Sequence, residues 1–226
     1  MKITSYGHSC FGAEIKGMSL LFDPFITGNE LASGIDPRSV PADFILVSHG
    51  HADHMADAPV IARQTGATIL SNFEITQWFA RQGIEKVHAL NHGGSGKFPF
   101  GRVKYVNAIH SSSLPDGTYG GNPGGFVIES ASGNFYYSGD TGLTLDMKLI
   151  GEATRLDFAC LPIGDTFTMG VEDAVRAAGL LACNRVLGLH YNTFPPIRID
   201  TGAARAKFSS AGIELVLLEP GQAHEF

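Results

Sequence analysis

From Phe44 to His54 the chain reads Phe-Ile-Leu-Val-Ser-His-Gly-His-Ala-Asp-His, a compact apolar run of strand length that ends in three imidazoles and a carboxylate within six residues. Imidazole nitrogen and carboxylate oxygen are the donors that Zn²⁺ and similar divalent ions take. Ala56 to Gln64, just beyond, has the composition of a helix, so the cluster stands at a strand-to-helix junction. His49 and His51 project alike from an extended segment, whereas Asp53 and His54 enter the following turn and point elsewhere. One ion would not collect all four, and the spacing predicts two metal sites side by side. A solvated loop would have no use for so many ionisable groups so close together.

Each ion needs further donors, and open α/β sheets build their sites at the C-terminal ends of strands. Three residues occupy such places: His110 follows the strand expected at Arg102 to Ala108, Asp140 follows the one at Asn134 to Ser138, and His190 ends the one at Arg185 to Leu189. Alone, a histidine at a strand end is an ordinary surface residue, and an aspartate between glycines is an ordinary turn residue. Beside the His49–His54 cluster they become ligand candidates.

The rest of the pattern predicts a mixed α/β architecture. Short strands are expected at Lys2 to Tyr6, Cys10 to Ile15 and Met18 to Phe22, forming a meander at a sheet edge that stops at Asp23-Pro24. Thr27 to Pro41 lacks periodicity and reads as a loop bordering a site. A strand at Thr68 to Leu70, a helix from Asn72 to Arg81 closed by Gly83, and a strand at Lys86 to Leu90 follow. Phe126 to Glu129 pairs with Asn134 to Ser138, and Leu145 to Gly151 is a short helix. The last third alternates: strand Asp157 to Leu161, helix Val171 to Ala182, strand Arg185 to Leu189, helix Thr201 to Ala211, strand Glu214 to Leu218.

A chain of 226 residues, 44% hydrophobic and 17% charged, can bury a sizeable core, and one domain spanning 1–226 is expected. The formal charge of −6, with no dense Lys/Arg block, argues against nucleic acid as a partner. The longest apolar runs are far below the ~20 residues of a membrane helix, and Met-Lys-Ile-Thr-Ser-Tyr-Gly-His-Ser-Cys lacks the pattern of a secretion signal. No membrane partner and a cytoplasmic location are therefore expected. Cys10, Cys160 and Cys183 are widely spaced and read as buried free thiols. His88, His92, His224, Lys97 and Arg198 read as loop or surface residues.

His-x-His-x-Asp-His at His49 to His54, the single His110, Ser-Gly-Asp-Thr-Gly around Asp140 and the late His190 resemble the ordered metal motifs of the metallo-β-lactamase superfamily, over most of the chain. Gly7-His8-Ser9, Leu20-Leu21-Phe22-Asp23-Pro24 and Ile163-Gly164-Asp165-Thr166-Phe167-Thr168-Met169-Gly170 further resemble a subgroup of short microbial metal-dependent hydrolases, some of them similar to lactonases. The resemblance implies a four-layer αβ/βα sandwich with two mixed β-sheets and an active site at one edge. It implies that His49, His51 and His110 bind one ion, Asp53, His54 and His190 a second, and that Asp140 bridges them. His8 lies near the active site in the resembling proteins and is a candidate for substrate binding or proton transfer. Gly-Gly is common in the subgroup where this chain has Gly164-Asp165.

The function expected is a binuclear metal-dependent hydrolase that uses metal-activated water on a small-molecule ester, lactone or phosphodiester, with Asp53 and Asp140 orienting the ions and the water. Zinc is the default ion, and Mn²⁺, Fe²⁺ and Ni²⁺ suit the same donors. The expected partner is a small-molecule substrate; the resembling subgroup often forms homo-oligomers, and the sequence itself leaves the oligomeric state open. Two other readings are a di-metal redox protein, which in this superfamily typically carries Glu where His51 stands, and a catalytically inert metal-binding protein, in which lost ligands are expected.

Overall fold

The computed structural model describes residues 1–226. The chain opens with a meander of β1 (Lys2–Gly7), β2 (Cys10–Ile15) and β3 (Met18–Phe22). Lys16 and Gly17, both at positive φ (52° and 74°), make the tight hairpin that matches the strand twist. Two short 3₁₀ turns, Glu30–Ala32 and Pro37–Ser39, occupy the loop expected at 27–41. The chain then enters β4 (Phe44–Leu46), parallel to β3, and the short helix α1 (Ala52–Met55).

The helix expected at 56–64 is α2 (Ala58–Thr65), separated from α1 because Asp57 is used elsewhere: its carboxylate accepts from Ile26 N at 2.6 Å and Thr27 N at 2.8 Å. β5 (Thr68–Asn72), α3 (Phe73–Arg81) and β6 (Val87–Leu90) complete this half, with the Asn72 side chain capping α3 by accepting from Ile75 N at 2.9 Å. The second half runs β7 (Ser95–Phe98), β8 (Gly101–Asn107), β9 (Gly124–Ser130), β10 (Gly133–Tyr137), α4 (Asp146–Ala153), β11 (Phe158–Pro162), α5 (Val171–Leu180), β12 (Arg185–Leu189), α6 (Thr201–Ser210) and β13 (Glu214–Val216). The last strand, β14 (Ala223–Glu225), returns to β1.

The strands form two seven-stranded sheets, in the orders β14-β1-β2-β3-β4-β5-β6 and β13-β12-β11-β10-β9-β8-β7. Both follow one plan, with three antiparallel pairings leading into three parallel ones. β14 covers the meander, so the edge strand of the first sheet is β14 and not β1. Sequence reading gave neither β7 nor β14.

Side-chain alternation sorts the core into three layers. Along β3, Leu20 and Phe22 face the opposite sheet while Leu21 faces the helices; along β10, Phe135 and Tyr137 face inward and Tyr136 outward. The inward set holds the large aromatics Phe11, Phe22, Phe126 and Phe158. α2 and α3 cover the outside of the first sheet, and α4, α5 and α6 that of the second. This is the expected four-layer αβ/βα sandwich. All three cysteines are buried and free, and no helix is long and apolar enough to cross a membrane.

Candidate metal centre

β4 carries the chain to fully buried Ser48 and His49, and α1 begins directly after His51, whose extended backbone serves as its N-cap. His49 and His51 therefore project together, with His49 Nε2 3.0 Å from His51 Nδ1. Asp53 and His54 lie within the single turn of α1 and face a different space. Gly50 lets the 111–113 segment close over the motif: a Cβ there would lie 3.0 Å from Ser113 O, and Gly50 N donates to Ser112 Oγ at 3.1 Å. That contact brings His110, just past the end of β8, against His49 and His51.

Two clusters of donors result. His49, His51 and His110 form one; Asp53, His54, His190 and His8 form the other; within each, the potential ligand atoms all lie within 4.8 Å of one another. Asp140 stands between them. Its Oδ2 is 3.2 Å from His54 Nε2, 3.1 Å from His190 Nε2 and 3.6 Å from His110 Nε2. All eight candidate residues thus meet at one edge of the sandwich, where β4, β8, β10 and β12 end and β1 turns into β2.

The backbone is bent to achieve this. His8 (φ 55°), Asp23 (φ 40°) and His190 (φ 53°) all occupy the left-handed region, which costs a non-glycine residue about 1–3 kcal/mol and is tolerated where surrounding structure enforces it. His190 N donates to His8 O at 3.1 Å, tying the two turns together. The His190 turn lies on Gly164, where a Cβ would be 2.1 Å from His190 O. Gly164→Ala is therefore expected to displace His190 and to lower stability by about 3 kcal/mol, the cost of a severe steric insertion; urea unfolding with a wild-type midpoint would contradict this contact.

Sequence reading missed the shell that orients the ligands. Asp23 was read as a strand stop, yet it is fully buried beside the motif. Its Oδ2 accepts from His54 Nδ1 at 2.7 Å, Ser48 Oγ at 2.5 Å and Tyr137 OH at 2.5 Å, while Oδ1 accepts from Ser48 N at 2.7 Å. His54 Nδ1 donates to Asp23, which aims Nε2 at Asp140; the metal-free ring is protonated on both nitrogens, and a lone pair faces the centre once Nε2 gives up its proton. Ser48 Oγ gives its proton to Asp23 and so accepts from His49 Nδ1, 2.9 Å away, which fixes His49 Nε2 as a lone pair as well. The signal for Asp23 lies in Leu-Leu-Phe-Asp-Pro, where a carboxylate directly follows an apolar strand.

Asp165 has a local explanation. It lies at φ 62°, a conformation glycine adopts freely and aspartate tolerates, and its Oδ1 accepts from Thr166 N at 2.8 Å. The aspartate closes its own turn.

Burial, and secondarily the neighbouring His54, pushes the His49 pKa well below the usual imidazole value; burial likewise lowers His51 and His110, and takes His8 down to about 4. Burial also opposes a charged His54, but Asp140 and Asp23 on either side raise its pKa well above the ordinary range. Burial alone would raise the Asp140 and Asp53 carboxyls; His54 and His190 hold the first well below the usual range, and His8 and His54 lower the second.

These shifts set the acid stability of the metal-free chain. Below the ordinary histidine value of 6.5 the unfolded chain takes up a proton that folded His8 refuses until about pH 4, so stability falls as pH falls through that window. The His8 shift alone amounts to about 3 kcal/mol, and His49, His51 and His110 act in the same direction. His54 is protonated in both states throughout this window and adds no slope; its contribution is complete below 6.5 and is lost only as pH rises through its raised folded pKa. Chelator-treated protein is expected to melt roughly 5–10 °C lower at pH 4.5 than at pH 6.5, and a flat profile would count against neutral buried imidazoles.

The donors fit a metal. His8 Nε2, His54 Nε2, Asp140 Oδ1 and His190 Nδ1 are buried without a hydrogen-bond partner, and polar atoms left in that state are costly unless something else completes them.

Comparison with known proteins agrees. The profile of the family described as beta-lactamase superfamily domain matches residues 2–190. A UPF0173 metal-dependent hydrolase of Flavobacterium johnsoniae is 53% identical over 225 residues, covering 100% of both chains. Its counterpart in Methylacidiphilum infernorum is 54% identical over 219 residues, 97% of each chain. Among solved structures, a metallo hydrolase from the hyperthermophilic archaeon Ignicoccus hospitalis superposes with a TM-score of 0.90 at 36% identity, covering 100% of this chain and 98% of its own. The chain belongs to the β-lactamase superfamily and, within it, to this family of metal-dependent hydrolases.

Proposed function

We propose that this chain is a binuclear hydrolase of a small-molecule ester, lactone or phosphodiester, acting as one domain, with His49, His51 and His110 holding one divalent ion, Asp53, His54 and His190 the other, and Asp140 shared between them. The observation that carries this reading is the position of Asp140 Oδ2, within 3.6 Å of histidines from both clusters. A pair of divalent ions, when bound, supplies Lewis acidity that polarises the scissile group and acidifies water. Zinc is the default among ions that accept imidazole and carboxylate.

The chain's own residues supply the rest. Asp23 and Ser48 orient His54 and His49 so that each Nε2 faces the centre; neutral His49 has its lone pair there already, and charged His54 would release its Nε2 proton on binding an ion. His49, His54, Asp140 and His190 are each at most 3% exposed, which keeps the centre away from bulk solvent on the protein side. His51 and His110 are less buried and mark the open side. Phe25 and Phe194, with ring centroids 5.6 and 5.4 Å from that of His8, pack apolar rings around it. A histidine at position 51, where the superfamily's redox members typically carry glutamate, favours hydrolysis.

The test is a parallel assay of zinc-loaded protein on a nitrophenyl phosphodiester, a lactone and a thioester, before and after chelation. Turnover of the phosphodiester or an ester-type substrate, lost on chelation and restored by zinc, is expected. Fully metal-loaded protein inert toward every ester, lactone and phosphodiester offered would contradict the reading.

A further inference from the structure

We infer that His8 is a ligand of the second ion, so that this ion is held by His8, Asp53, His54 and His190 in addition to Asp140, while the His49–His51–His110 ion keeps the exchangeable position. The inference rests on the two-ion reading above.

The first observation is the environment of the ring. His8 is 6% exposed, and its Nε2 is buried without a hydrogen-bond partner while facing Asp53. The separation from Asp53 Oδ2 is 3.4 Å. That is long for a charge-assisted hydrogen bond, which runs to about 2.7–2.9 Å. It falls within the roughly 2.9–3.6 Å that separates two neighbouring donors sharing one five-coordinate ion at bond lengths of about 2.0–2.1 Å.

The second observation is the fixing of the other nitrogen. His8 Nδ1 is 2.9 Å from Thr193 Oγ1, and the Thr193 hydroxyl can pass its own proton on to Tyr191 O at 3.4 Å. Read in that direction, Nδ1–H donates to Thr193 and Nε2 is left as a lone pair. This is the arrangement metal-binding histidines adopt, with the non-ligating nitrogen donating to an oxygen. The ring is held in place by His190, at a centroid distance of 4.2 Å, and by the edge contacts of Phe25 and Phe194. The strained backbone at His8 is explained if the ring must reach this spot.

Counting the shared Asp140, the second ion would have five protein donors and the first four, so the first is the one with room to expand its coordination toward water and substrate. Burial runs the same way: His8, His54 and His190 are at most 6% exposed, whereas His51 and His110 face the open side. Thr193 acts through His8 and is a positioning residue.

The test is Co²⁺ titration of chelator-treated protein, following ion content after gel filtration and the visible absorption of bound cobalt. Wild type is expected to take up about two ions, one more tightly than the other. His8→Asn, a residue that tolerates positive φ, should weaken the tighter ion by at least about 10-fold and change its absorption, the order of loss seen even for partners one step removed from a metal. Thr193→Val, which keeps the ring but frees Nδ1, should weaken the same ion less, and Thr193→Ser should restore it. Two ions bound by His8→Asn with wild-type affinity and absorption would overturn the inference and leave the two-ion reading standing. A wild type that takes up only one ion would overturn both.

Discussion

Asp140→Asn is expected to lower turnover by more than about 10²-fold and to reduce metal content below two ions per chain, with cooperative unfolding retained. Asp140 Oδ2 lies near His54, His110 and His190, so one carboxylate oxygen faces histidines of both clusters. An amide in its place removes the negative charge and puts either an oxygen or an NH₂ group toward three imidazoles. Partners that merely orient a ligand already cost 10–100-fold when lost, so a shared ligand should exceed the upper end of that range. The fold should survive because the packed layers that build it do not include Asp140. A variant with undiminished activity would remove Asp140 from the centre.

Asp23→Asn should produce the largest combined effect on stability and metal binding. Four donors converge on this carboxylate: His54 Nδ1, Ser48 Oγ, Tyr137 OH and Ser48 N. The amide carries two protons of its own, so at least one buried donor loses its acceptor and the charged His54 loses a counter-ion. Breaking a buried ionic contact of this kind costs about 3–5 kcal/mol, or roughly 10 °C in Tm for a chain of this size. With the His54 ring no longer held in place by Asp23, metal affinity should fall a further 10–100-fold. Tyr137→Phe is the control: it deletes one donor, leaves the carboxylate satisfied by the others, and should cost about 1 kcal/mol with metal binding nearly intact. Equal behaviour of the two variants would show that Asp23 serves packing alone.

Five of the seven proposed ligands were legible in the sequence because each is a polar residue following an apolar strand, a position that a strand's own packing does not call for, and Asp53 and His54, in α1, were legible from their closeness to His49 and His51. His49 and His51 after β4, His110 after β8, Asp140 after β10 and His190 after β12 all follow this rule. Strands buried on both faces, such as Phe158–Pro162, were legible from composition. Asp23 was not, because its role depends on register: Phe22 pairs with Leu46 across β3 and β4, and only that alignment puts Asp23 beside Ser48. β7 and β14 were hidden for a related reason. Ser-Gly-Lys-Phe and Ala-His-Glu carry no alternating pattern of their own, and they become strands by pairing with β8 and β1 at sheet edges. The break between α1 and α2 likewise needs Asp57 to reach the backbone of Ile26 and Thr27, a contact between segments 30 residues apart that no local pattern announces.

The central claim is that the two clusters each hold an ion around Asp140. Its most direct test is metal content by plasma mass spectrometry on protein purified without added metal and again after reconstitution with zinc. The account predicts close to two ions per chain, falling in Asp140→Asn; a chain that retains no metal after reconstitution would contradict it.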